Sequence, residues 1–278
     1  MPSWRRTRCL AEYAFSLEGD DADLAGLADS LFSAAPEAPA GAVPQAFRLV
    51  RRSGTVVLLE DGRAVCRAPD LQGLFLQVEW HLTRAVMAAL GRYLQLHGAA
   101  VVLPSGAVLA VGPPESGKTS LALGMALGGG RLAGDEVALV GPSGLRVTPF
   151  PRDLIVHDGT RALFPGRLAA PAVPAWKVFP GYVHAAPGEL GLRTARRPAA
   201  IRRLVFPVRG GQGGAACRPV GPAEAARRLL EQVFSLPGQG ARGVEIVGRL
   251  AEECAPVEVP CDDAATAARL LLDLAARG

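Results

Sequence analysis

Asparagine does not occur in the 278 residues, and lysine occurs only at Lys118 and Lys177, against 28 arginines. Without asparagine there is no Asn-Lys-x-Asp element for guanine recognition and no asparagine of a protein-kinase catalytic loop, so both of those classes are excluded. Aromatic residues are sparse at 5%, and no basic stripe is interleaved with them. The net charge of +4 and pI of about 9.0 come from scattered arginines, in modest pairs such as Arg196/Arg197, Arg202/Arg203 and Arg227/Arg228. That skew reads as the codon bias of a GC-rich genome, and nucleic acid is not an expected partner. The five cysteines are odd in number, widely spaced and without a Cys-x-x-Cys pair, which argues against a disulfide framework or zinc knuckle. No apolar run approaches the roughly 18 residues of a spanning helix, because Pro104, Gly106, Gly112 and Pro113 break the richest stretch. No membrane partner is expected. The stretch from Met1 to Gly19 mixes Arg5, Arg6 and Arg8 with Glu12 and Glu18 and lacks the apolar core of a secretion signal, so the cytoplasm is the expected compartment. There is no Gly-x-Ser-x-Gly elbow, and no His-Glu-x-x-His pattern among the four histidines.

What the chain does have is 49% hydrophobic and 20% charged residues, enough to bury one large core or two small ones. Alternation from Glu12 to Glu18 predicts a strand, and Asp21 to Phe32 a short helix opened by acidic residues. After an Ala/Pro-rich linker at Ser33–Pro44 come three short strands, Ala46–Arg51, Thr55–Glu60 and Arg63–Arg67. Ser53-Gly54 and Asp61-Gly62 supply their hairpin turns, which predicts an antiparallel meander. Phe75, Val78, Leu82, Val86, Leu90 and Leu94 mark one face of a long helix over Leu71–Leu94, with Trp80 and Met87 expected to widen that face. Strands at Ala99–Leu103 and Ala107–Val111 follow, then a helix over Lys118–Leu127 ended by three glycines. Further strands are expected at Val137–Val140, Leu145–Thr148, Ile201–Val208, Ala215–Val220 and Val257–Val259. Helices are expected from Pro222 to about Val233 and over Ala264–Ala276. The proline-punctuated segment Pro149–Pro198 carries no clear period.

Gly112-Pro113-Pro114-Glu115-Ser116-Gly117-Lys118-Thr119 matches G-x-x-x-x-G-K-[ST] between a predicted strand and a predicted helix. Two glycines let the backbone curl so that successive N–H groups point at phosphate oxygens, at a helix start whose dipole favours anions. Residues 112–119 with Ser120 are therefore the expected nucleotide-binding residues. Lys118 is placed to reach the β and γ phosphates, and the Thr119 hydroxyl to meet Mg²⁺. Pro114 and Glu115 are unusual in such a loop, and Glu115 is expected to face solvent. Seventeen residues after Lys118 lies Asp135, followed by Glu136 and the apolar run Val137–Val140. Adjacent carboxylates at a strand edge beside a phosphate loop can divide two tasks, one holding Mg²⁺ and the other accepting the proton of an attacking hydroxyl.

Leu96-His97-Gly98-Ala99-Ala100-Val101, the loop after ten intervening residues, and Gly134-Asp135-Glu136-Val137 together resemble the catalytic domain of bacterial HPr kinase/phosphorylase. They also resemble its shorter relatives, which include serine kinases found beside peptide natural-product pathways. The resemblance covers about Gln95 to Pro151 well and the remainder only in layout. It implies ATP and Mg²⁺ as cofactors, Lys118 and Thr119 as nucleotide and metal ligands, Asp135 as general base or acid toward a serine hydroxyl, and Glu136 assisting the metal. His97 matches a histidine that the family keeps near the phosphate site. Its role stays open between that and a structural one. The Glu-x-Arg-Gly segment that serves phosphorolysis in the full enzyme has no counterpart between Val137 and Pro198, so the resemblance does not extend to the reverse reaction or to HPr as acceptor. Pro149-Phe150-Pro151-Arg152 is similar to a segment of the shorter relatives, which makes Arg152 a candidate contact to phosphate or acceptor, with Lys177 a weaker one.

The expected fold is α/β: a mixed N-terminal region, 1–95, with a small antiparallel sheet and a long helix, then a P-loop kinase core of the HPr-kinase/PEP-carboxykinase-like type, 96–278. The expected activity is ATP-dependent phosphorylation of a hydroxyl acceptor on a peptide, protein or small molecule, with the candidate catalytic residues Asp135, Lys118, His97 and Arg152 and candidate metal ligands Thr119, Glu136 and Asp135. Two other readings stand beside it: a non-catalytic ATP-binding partner in a biosynthetic complex, and an ATPase driving conformational work. The sequence does not indicate an oligomeric state.

Overall fold

The computed structural model describes residues 2–142, 145–166, 168, 172–209, 216–234 and 236–277. Its N-terminal part builds a five-stranded sheet in the order β1 (Trp4–Leu10), β2 (Tyr13–Gly19), β3 (Gln45–Arg52), β4 (Thr55–Glu60) and β5 (Arg63–Ala68). The meander from β3 to β5 follows from its turns. Ser53, Gly54, Asp61 and Gly62 all take positive φ (47°, 76°, 49° and 77°), the two-residue geometry that matches the twist of paired strands. The sheet is larger than the expected one and not purely antiparallel, because β1 adds an edge and β2 runs parallel to β3. A parallel pair needs a crossover, here α1 (Ala22–Ser30), whose first amides are capped by the Asp21 carboxylate.

The second helix, α2 (Leu71–Ala89), starts where Asp70 accepts the Gly73 N–H, and Phe75, Val78, Leu82 and Val86 are buried against the sheet as their spacing dictates. It stops short of the expected Leu94. Leu94 instead opens β6 (Leu94–Leu103), which includes the expected strand Ala99–Leu103 and starts five residues earlier; the strand is mostly buried, and its near-continuous apolar run has no strand period to set its start apart from helix. Trp80 also departs from expectation: it is 59% exposed. Five residues beyond Phe75 is about 140° around a helix of 3.6 residues per turn, off the buried face. Met87 is half-buried against the same core.

After β7 (Gly106–Val111), α3 (Lys118–Leu127), β8 (Arg131–Gly134), β9 (Val137–Val140) and β10 (Arg146–Thr148) comes the segment that has no clear period in the sequence. It holds β11 (Leu154–His157), the short α4 (Asp158–Ala162), β12 (Val178–Phe179) and β13 (Tyr182–Ala185), the three strands forming a sheet of their own. The chain then runs through β14 (Ala199–Val208), β15 (Arg218–Pro219), α5 (Pro222–Leu230), α6 (Leu236–Glu253), β16 (Val257–Pro260) and α7 (Ala264–Arg277). Of the strand expected over Ala215–Val220, Ala215 lies outside the described residues and only β15 is strand.

The main sheet has the order β10-β9-β6-β7-β14-β16-β15, with β8 beside β6, and β7, β14 and β16 run parallel. Alternate residues of β6 and β7 separate its two faces. Val101, Leu103, Val108 and Ala110 pack with α3 and α7, while Ala100, Ala107 and Leu109 pack with α5 and α6. The N-terminal core extends into this sheet through Val137, Leu139 and Phe150. The protein is thus α/β. No helix among the described residues is long and apolar enough to cross a membrane.

Candidate active site

The glycine-rich loop joins the end of β7 to the start of α3, in the strand–loop–helix setting its spacing requires. Gly117, at φ 105°, makes the left-handed step into the helix, and a side chain there would press on the Cys261 Cβ at 3.1 Å. Gly112 lies close to the Ser116 hydroxyl, 3.0 Å from where a Cβ would stand, so a side chain there would press on that hydroxyl. Glu115 is exposed with φ 63° and faces away from the loop's interior, as expected, and Pro113 and Pro114 are exposed beside it. The Ser116 hydroxyl is buried inside the loop with no hydrogen-bond partner, a polar group in want of a ligand. Lys118 is buried, and its ammonium donates to the carbonyls of Gly112 (3.0 Å) and Pro113 (2.8 Å). Burial pulls its pKa down, against the nearby charges of Glu136 and Asp135. Ser120 turns the other way, its hydroxyl 3.3 Å from that of Thr160.

Asp135 and Glu136 form the two-residue link between β8 and β9. The pair is thus preceded by a strand that has no counterpart among the expected ones, and that strand pairs with β6 and fixes the link beside the loop. Asp135 is 2% exposed and accepts the Thr119 hydroxyl at 3.0 Å and 3.2 Å. Burial, and then the charge of Glu136, push its carboxyl up to about 6, against the Thr119 hydroxyl, the Glu136 N–H and the Arg152 guanidinium. Glu136, at φ 64°, behaves oppositely. Its carboxylate lies 3.4 Å from His97 Nε2, and this contact holds it below the usual range although burial opposes the shift. Two neighbouring carboxyls are thus driven apart, one toward proton uptake near neutrality and one toward permanent charge.

His97 is oriented from its far side by Gln232, whose carboxamide oxygen is 3.3 Å from Nδ1, while the His97 N–H donates to the Gln232 carbonyl. Gln232 also lines a cavity of about 430 Å³ with residues 112–116, Phe206, Arg209 and Arg228. Arg152 is placed beside Asp135 by the ladder, since the Phe150 N–H donates to the Ala133 carbonyl. Its guanidinium pairs at 2.6 Å with Glu79 of α2, both side chains buried. Lys177, fully buried, pairs with Asp153 (2.8 Å) and Glu189 (3.0 Å). That arrangement makes it a strut for the segment after Arg152.

The structure thus gathers Lys118, Thr119, Asp135, Glu136, His97 and the loop, with Arg152 one step away. Gln232 and Glu79 are additions to the expected set. Glu79 had a signal, a carboxylate one position after Val78 on the apolar face of α2, whereas nothing local marked Gln232. The oxygen donors of Thr119, Asp135 and Glu136 suit a hard cation such as Mg²⁺, which takes one or two carboxylates and fills its shell with water and phosphate oxygens. In comparison with known proteins, the chain matches no protein-family model and no curated sequence.

Proposed function

We propose that this protein is an ATP-dependent phosphotransferase of the HPr-kinase-like kind, acting on a hydroxyl acceptor. The observation that carries this reading is the Thr119–Asp135 hydrogen bond. It joins the hydroxyl of a phosphate-binding loop to a buried carboxyl whose pKa, about 6, suits a general base.

In this reading the loop amides and Lys118 hold the ATP phosphates, and Lys118 counters charge on the γ-phosphoryl group as it moves. Asp135 takes the acceptor's proton while the acceptor oxygen bonds to the γ-phosphorus and the bond to the ADP oxygen breaks, leaving ADP and a phosphoester. His97 keeps Glu136 ionised and in place. Thr119, Glu136 and an oxygen of Asp135 would hold Mg²⁺, which when bound neutralises charge on the β and γ phosphates. Since phosphoryl transfer is mostly positioning and charge stabilisation, Lys118→Ala should cost about 10²–10³-fold or more in rate.

The test is transfer of label from γ-labelled ATP with Mg²⁺ into peptide and small-metabolite fractions of the source cell, comparing the wild type with Asp135→Asn. Labelled product from the wild type alone supports the reading and delivers the acceptor for identification by mass. Tight ATP binding with no labelled product refutes it in favour of a non-catalytic nucleotide-binding partner, and steady hydrolysis without an acceptor refutes it in favour of an ATPase.

A further inference from the structure

A second cavity, of about 750 Å³, lies between α2 and the β11–β13 sheet and shares no lining residue with the cavity at the loop. Its size falls in the range of small-molecule sites. Its wall is amphipathic. Ile155, Tyr182 and the exposed Trp80 give apolar and aromatic surface, and the Arg84 guanidinium lies 4.8 Å over the Trp80 ring.

The charges facing it leave one cation over. Of its two guanidinium groups, Arg152 is matched by Glu79, whereas Arg84 has no carboxylate in ion-pair reach among the described residues. Two buried nitrogens of the wall, Arg152 Nε and His184 Nδ1, have no hydrogen-bond partner. Buried polar groups are seldom left so, and a pair of them on one cavity wall points to an oxygen-bearing ligand. The wall also reaches toward the loop site, because Phe150, two residues before Arg152, bridges Gly134, the residue before Asp135.

We propose that this cavity binds the phosphoryl acceptor, and that the acceptor is a small hydroxy acid: one carboxylate matched to Arg84, an apolar or aromatic body against Trp80 and Tyr182, and oxygens for Arg152 and His184. The assignment of the ligand as acceptor rests on the phosphotransferase reading above. The site itself does not.

The experiment is calorimetric titration of the full chain with three probes. These are 3-phenyllactate, which has ring, hydroxyl and carboxylate; 3-phenyl-1,2-propanediol, which lacks the charge; and lactate, which lacks the ring. The wild type should bind phenyllactate at least about tenfold more tightly than either other probe. Arg84→Gln should erase the preference over the diol, and Trp80→Ala the preference over lactate. Both residues are exposed and outside the loop, so ADP affinity should not change in either variant. No binding of phenyllactate up to about 10 mM, where affinities near −3 kcal/mol would register, overturns the proposal, as does a carboxylate preference that survives Arg84→Gln. Phenyllactate binding without transfer from ATP to any acceptor would refute the phosphotransferase reading and the acceptor assignment while leaving the site. Transfer to other acceptors without phenyllactate binding would refute the site alone.

Discussion

Replacing Lys177 by Met should destabilise the protein in a pH-dependent way that can be worked from the Asp153 carboxyl. Asp153 is buried, and burial raises it from 3.8 to about 6 even with the Lys177 ammonium 2.8 Å away pulling it down. For a carboxyl raised on folding, the native state holds the proton more tightly than the unfolded chain, so its penalty is absent at low pH and grows as pH rises. At about 1.36 kcal/mol per pH unit, a pKa moved from 3.8 to about 6 costs about 3 kcal/mol at pH 7.5 and about 1.6 at pH 5. Without the ammonium the Asp153 carboxyl rises further, and in the limit where it stays protonated in the native state at pH 7.5 the cost of holding that proton reaches about 5 kcal/mol at pH 7.5 and about 1.7 at pH 5. The variant should therefore lose up to about 2 kcal/mol more than the wild type at pH 7.5 and almost nothing more at pH 5. His184 moves the same way. Burial first, then Arg152 and Lys177, hold it down to about 4, so removing the lysine lets it protonate more readily in the native state and favours the variant at acid pH. The assay is urea unfolding followed by far-UV circular dichroism at the two pH values. A loss equal at both, or larger at pH 5, would refute the argument that Asp153 is held ionised by Lys177.

Further outcomes follow from packing and pairing. Glu79→Ala should cost about 3–5 kcal/mol in the same assay, because it strands the buried Arg152 guanidinium, and Glu79→Leu with Arg152→Met should recover most of that loss. Gly124→Ala should destabilise by about 1 kcal/mol although alanine is the better helix former by about the same amount. Its Cβ would stand 2.6 Å from that of Ala268 on α7, an overpacking worth about 1–3 kcal/mol, and Ala268→Gly should restore stability measured by thermal melting.

What could be read from the chain was whatever depends on neighbours in sequence. The loop from Gly112 to Thr119, the hairpin turns at Ser53-Gly54 and Asp61-Gly62, and the buried stripe of α2 each carry their determinants within a few residues. β1 escaped because Arg5, Arg6 and Arg8 on an edge strand replace the apolar alternation that marks a half-buried one. The first half of β6, Leu94–Gly98, escaped for the opposite reason, since a strand covered on both faces has no period at all, whereas its second half, Ala99–Leu103, is legible as strand.

The site divides along the same line. Lys118, Thr119 and the Asp135-Glu136 pair are visible in sequence because one strand–loop–helix–strand unit carries them. Burial and the neighbouring Glu136 charge dominate the Asp135 carboxyl, but the groups that orient the pair from outside are not local. His97 and Gln232 orient Glu136 from β6 and from beyond α5, and Arg152 is held beside Asp135 by a glutamate on α2. This has a physical consequence for how the N-terminal sheet bears on the chemistry. Glu79 is anchored by the same helix whose Phe75, Val78 and Leu82 form the N-terminal core, so the position of the Arg152 charge, which adds to the larger effects of burial and Glu136 at the Asp135 carboxyl, depends on how that core packs. In this arrangement the N-terminal region is part of the electrostatics of the site, coupled to it through one buried ion pair.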